Sequence, residues 1–93
     1  MASFFIDVQG NFFSPFDIEY IFVSQRATVF DGLIRYGTMV YLRGPAFSLS
    51  FRSYESAKLC AEKLMVLKTT TDTIEKNEAL QDFLAFIEKE RPI

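Results

Sequence analysis

The stretch that decides the fold runs Ala46-Phe47-Ser48-Leu49-Ser50-Phe51-Arg52, then Ser53, then Tyr54-Glu55-Ser56-Ala57-Lys58-Leu59-Cys60-Ala61-Glu62-Lys63-Leu64-Met65-Val66-Leu67. In its first part Phe47, Leu49 and Phe51 alternate with Ser48, Ser50 and Arg52, the period of two of a half-buried strand. From Tyr54 the period becomes 3.6: Ala57, Cys60, Ala61, Leu64 and Leu67 share one helical stripe, with Glu55, Lys58, Glu62 and Lys63 on the other side. Ser53 stands between the two patterns, where its hydroxyl can accept from the free amides of a starting helix. Glu55 follows in the first turn, where the helix dipole favours an acid.

Reading toward the N-terminus, the pattern stays that of strands and turns. Phe4 to Val8 predicts a first strand, closed by the turn composition of Gln9-Gly10-Asn11. Phe12 and Phe13 follow, and Ser14-Pro15 makes this stretch an edge or a bend, because proline has no amide for a sheet ladder. Ile18 to Val23, rich in β-branched and aromatic residues, predicts a second strand, and Ser24 to Ala27 a loop. Asp31-Gly32 between Thr28-Val29-Phe30 and Leu33-Ile34-Arg35-Tyr36 is a strong hairpin signal. Gly37 is expected to bulge or bend before a strand over Thr38 to Leu42, and Arg43-Gly44-Pro45 to turn the chain into Ala46.

Toward the C-terminus, Thr69-Thr70-Thr71 should break or loosen the first helix, since β-branched side chains lose freedom there. Asp72-Thr73-Ile74-Glu75 matches a capping box for a second helix, with Asn77 as an alternative cap. That helix carries Leu80, Phe83, Leu84 and Ile87 as its core stripe, leaves Phe86 at the stripe's edge, and stops before Pro92. The expectation is one α+β domain over residues 1–93: an antiparallel four- to five-stranded β-meander in residues 1–52, and two C-terminal α-helices in residues 53–93 packed on one face of it.

Composition narrows the function. The chain has 93 residues, no His, one Cys, 11 Phe and 4 Tyr. Without histidine the commonest general base and catalytic metal ligand are missing, and Cys60 lies on the stripe expected to face the core. Asp17 and Glu19, two apart on a strand, form an acidic pair whose spacing requires no convergence with Asp7 or Asp31. The four glycines are spread singly over turns and match no phosphate-binding loop. The reading is therefore a non-enzyme with no cofactor and no metal.

A lone cysteine, no basic leader before Arg26 and no apolar run near the roughly 20 residues of a membrane span point to a cytoplasmic, membrane-free protein. The net charge is -2. It hides an asymmetry: four arginines balance four acids in residues 1–52, whereas six bases face eight acids in residues 53–93.

Fifteen aromatics are more than one small core readily absorbs, and the surplus suggests an interface. In Thr38 to Leu42 neither face is cleanly polar, so Met39 and Tyr41 are candidates for an uncovered sheet face, as is Tyr20 on the strand before. The alternative is burial on both sides, under the Phe12 to Phe16 segment. The expected function is a small non-enzymatic protein-interaction module, homo-oligomeric or acting as an inhibitor or adaptor on a larger protein. Small compact chains of this sort are often encoded by phages or mobile elements. The expected interaction surface comprises Tyr20, Met39, Tyr41, Arg43, Arg52 and Phe86. The rival function is binding of single-stranded nucleic acid on the sheet face, with bases stacking on tyrosines and Arg26, Arg35, Arg43 and Arg52 holding phosphates.

Overall fold

The computed structural model of the protein describes residues 5–24, 28–30 and 32–93. Nine elements follow in order: β1 (Ile6–Val8), β2 (Asn11–Phe13), a 3₁₀ turn (Pro15–Asp17), β3 (Ile18–Val23), β4 (Thr28–Phe30), β5 (Leu33–Leu42), β6 (Ala46–Phe51), α1 (Tyr54–Thr69) and α2 (Thr73–Glu90). This is the α+β architecture the sequence predicts. Every strand pairing is antiparallel, and both helices lie on one side of the main sheet.

The middle of that sheet is β5. It pairs with β3 through Tyr20↔Tyr41 to Val23↔Thr38, with β6 through Tyr36↔Phe51 to Tyr41↔Ala46, and at its start with β4 through Phe30↔Leu33. Gly37 neither bulges nor bends. It is extended, partners Ser50 on β6, and accepts from the Ser24 amide at 2.9 Å on the other side, so the two expected strands form a single one of ten residues. Of the expected Asp31-Gly32 turn, Gly32 has φ +76°, and Asp31 lies outside the described residues.

The irregularity falls on β3 instead. Register shifts between Ile18 and Tyr20, so Glu19 is an extra residue. In a regular strand Ile18 would project beside Tyr20, two residues on. Because Glu19 is accommodated as a bulge, Ile18 partners Leu42, turns to the helix side and is 1% exposed. Lys68, in the last turn of α1, donates from Nζ to the Ile18 carbonyl at this bulge.

The first two strands stand apart from the meander as their own hairpin. Gln9 and Gly10 have φ +51° and +82°, the two positive values that a two-residue type I′ loop demands. The Asp7 carboxylate accepts from the Gly10 amide at 3.0 Å. Ile6, Val8 and Phe13 enter the common core, and Phe13 meets Phe47 of β6 at 4.9 Å between ring centroids. The hairpin therefore closes the β6 flank rather than covering the second face of the sheet. The C-terminus joins it there: Ile93 N–H donates to Ser50 O at 2.8 Å, and Gln9 Nε2 donates to Pro92 O at 2.7 Å.

The core lies between β5, β6 and α1. Thr38, Val40, Leu49 and Phe51 face Ala57, Cys60, Leu64 and Leu67, all of them buried, and each fully buried leucine contributes about 1.5–3 kcal/mol. The Thr38 hydroxyl is satisfied by donating to Ala57 O at 2.7 Å. Ser53 caps α1 by accepting from the Ser56 amide, and Asp72, not Asn77, caps α2 by accepting from the Glu75 amide.

Two details of α2 differ from the predicted stripe. Its inward face carries Lys76, Phe83 and Phe86, with Ala79, Leu80 and Ile87 packed alongside, while Leu84 is 36% exposed. Phe86 is buried against Phe51, with ring centroids 5.9 Å apart, because α2 approaches α1 and β6 from the side and so turns the stripe toward residues 76, 83 and 86. Lys76 is buried because its Nζ donates to Leu67 O at 2.6 Å and Thr70 O at 3.0 Å, carbonyls that the end of α1 leaves without helical partners. Its ammonium also lies 3.9 Å over the Phe16 ring. Burial lowers the Lys76 pKa from its ordinary value.

The two phenylalanine and leucine positions separate these alternatives. Phe86→Ala should destabilise the fold by about 3–5 kcal/mol in urea unfolding, and Leu84→Ala by less than about 1 kcal/mol; the reverse order would restore the predicted stripe.

Candidate functional site

The candidate site is the sheet face turned away from the helices. With Ile21, Val23, Thr38, Val40, Leu49 and Phe51 directed at α1, strand alternation directs their neighbours outward: Tyr20 and Phe22 on β3, Met39 and Tyr41 on β5, Ala46, Ser48 and Ser50 on β6. Tyr20 and Phe22 are 54% and 55% exposed, and Met39 and Tyr41 are half-buried by their neighbours. Tyr20 and Tyr41 are cross-strand partners whose rings stack at 4.3 Å between centroids, 14° from parallel. Phe22 is opposite Met39, which in turn is opposite Ser48. The bulky residues thus crowd toward β3, and β6 contributes small ones. None of these seven side chains is charged.

Three of the six residues expected at an interaction surface, Tyr20, Met39 and Tyr41, come together here. Phe22 belongs with them and was missed. Its signal is alternation, which sets Tyr20 and Phe22 on one face against Ile21 and Val23; that this face is the outer one is decided by the pairing with β5. Phe86 does not belong, being core. Arg43 lies in the β5–β6 turn and Arg52 just past the far end of β6, both exposed. The length of β6 holds them roughly 20 Å apart at about 3.3 Å per residue, so they do not form one cationic site over the tyrosines. Arg35 is half-buried at the start of β5, and Arg26 lies outside the described residues.

Other chemistry-bearing groups are dispersed. Asp17 sits in the 3₁₀ turn, Glu19 at the β3 bulge and Asp7 on the separate hairpin. Among the described residues no three His, Cys, Asp or Glu side chains gather as a metal site. Among them, too, no helix is long and apolar enough to cross a membrane. A groove of about 230 Å³ between the helices is lined by Leu59, Val66 and Ala79 with Glu62, Lys63 and Asp82 at its rim. Lys63 and Asp82 bridge it at 2.6 Å. Exposed apolar side chains also occur at Val29, Leu33 and Ile34, where the β4–β5 hairpin extends past β6, and at the stacked pair Phe5 and Phe12.

No protein-family model, no curated protein and no solved structure matches this chain.

Cys60 is fully buried beside Thr38. Burial pushes its thiol up to about 12, with the Thr38 side chain acting in the opposite direction. A thiol with that pKa carries almost no thiolate at pH 8 to 9. A disulfide exchange reagent at pH 8 should therefore leave the native protein unmodified over the time in which denatured protein reacts completely. Prompt reaction of the native chain would place Cys60 within reach of solvent.

Proposed function

We propose that this protein is a non-enzymatic protein-interaction module that docks through the outer face of its sheet, as a homo-oligomer or as an inhibitor or adaptor of a larger protein. The observation that carries the reading is the uncharged aromatic face of Tyr20, Phe22, Met39 and Tyr41 on a sheet whose other face is already filled by α1. Aromatic and Met side chains without charges are the composition of an interface core. An origin in a phage or mobile element is compatible with this role.

Met39→Lys and Tyr41→Lys test it. Each places a charge at the centre of the face and should cost the fold about 1 kcal/mol or less, with circular dichroism unchanged, while abolishing assembly through that face, measured by light scattering. Unfolding of both variants would make these residues core and overturn the reading, as would assembly indifferent to both.

A second reading, single-stranded nucleic acid on the same face, draws on the exposed Tyr20–Tyr41 stack, since bases stack on such rings. It requires phosphate contacts, and the separation of Arg43 from Arg52 weighs against it. Binding of a labelled single strand at low salt, falling steeply as salt rises, is the result it demands; no binding at low salt eliminates it.

A further inference from the structure

The two edges of the main sheet differ. On β6 the C-terminal tail is bonded to Ser50, and the β1–β2 hairpin packs against Phe47. On β3, among the described residues, nothing pairs with the edge away from β5. Open edges are usually protected by lysine, proline or a strong twist, yet Tyr20-Ile21-Phe22-Val23 holds no charge and no proline.

The hydrogen-bond phase of this edge follows from one contact. Ser24 N–H donates to Gly37 O, so in the alternating antiparallel ladder Ser24, Phe22 and Tyr20 bond to β5. Ile21 and Val23 therefore aim their N–H and C=O groups outward, at the open edge.

We propose that two copies of this chain join through β3, antiparallel about a two-fold axis, into one continuous sheet. This rests on the interaction-module reading and names a second copy as an edge partner. Met39 and Tyr41 lie on β5, off the joint, so the edge dimer persists in Met39→Lys and Tyr41→Lys while association through the outer face is lost. The two-fold and the strand alternation permit only registers in which outward residues meet outward residues. In the register centred on Ile21, Ile21 faces Ile21 of the second copy in a doubly hydrogen-bonded pair. Tyr20 then faces Phe22 of the second copy, Val23 faces Glu19, and the two aromatic faces merge into one. Cross-strand aromatic pairs of this kind add to the ladder bonds.

The helix below fits the same register. Lys68 bonds to Ile18, which places its side of α1 under β3, and Met65, Ala61 and Lys58 share that side at helical spacing. Met65 there is 41% exposed, an apolar side chain turned toward the joint. Thr38 bonds to Ala57 and pairs with Val23, so neighbouring Lys58 stands level with Val23. Glu19 of the second copy comes to that same level, giving each dimer two Lys58–Glu19 pairs between copies.

The test is amide hydrogen exchange with sedimentation equilibrium on the full native chain. The expected result is a dimer in which the Ile21 and Val23 amides exchange as slowly as Phe22, and lose that protection on dilution below the dissociation constant. Lys58→Glu should weaken the dimer by about tenfold through two like-charged contacts, and Lys58→Glu with Glu19→Lys should restore it. A monomer at all concentrations overturns self-pairing, while leaving the sheet-face reading to its own test. A dimer with fast-exchanging Ile21 and Val23 amides overturns the edge and points to face-to-face docking. A dimer indifferent to Lys58→Glu overturns this register.

Discussion

The seating of α1 on β5 and β6 is the constraint on which the rest depends. Ala57, Cys60, Leu64 and Leu67 meet Thr38, Val40, Leu49 and Phe51 with almost no residual exposure. The polar member of that contact, Thr38, is tied to the Ala57 carbonyl, so the layer is closed without an unsatisfied group. Because strand side chains alternate, filling this face with helix leaves the opposite one to Tyr20, Phe22, Met39 and Tyr41. The outer face is a consequence of the inner one.

Much of the remaining structure protects that layer at its margins. Lys68 holds the bulged start of β3, and Lys76 joins the end of α1 to the beginning of α2 through two carbonyls. The tail reaches Ser50 and Gln9, and the β1–β2 hairpin brings Ile6, Val8 and Phe13 in beside β6. These devices are concentrated on the helix side and on β6. The outer face receives none of them among the described residues.

The bulge at Glu19 links architecture to surface. The register shift lets Ile18 enter the core although Tyr20, two residues on, faces outward with Phe22. The stacking of Tyr20 on Tyr41 then organises the face at its widest point.

The alternation of Phe47, Leu49 and Phe51, the 3.6-residue stripe of α1 and the caps Ser53 and Asp72 were all legible in the sequence, because each is a local pattern within a few residues of one element. So were the hairpin signals and the absence of histidine chemistry. Three of the six residues expected at a surface, Tyr20, Met39 and Tyr41, do lie on the outer face, since they occupy strands with no polar face. What needed the tertiary structure was anything set by one element's placement against another. Phe86 is core and Leu84 exposed because α2 approaches from the β6 side. Gly37 is an ordinary extended residue because β5 is held from both flanks, and the separate β1–β2 hairpin closes an edge that no local pattern reveals. Phe22, which alternation sets beside Tyr20, joined the site only when the pairing with β5 turned Ile21 and Val23 inward. Local periodicity reports which residues share a face, and only packing decides what that face meets.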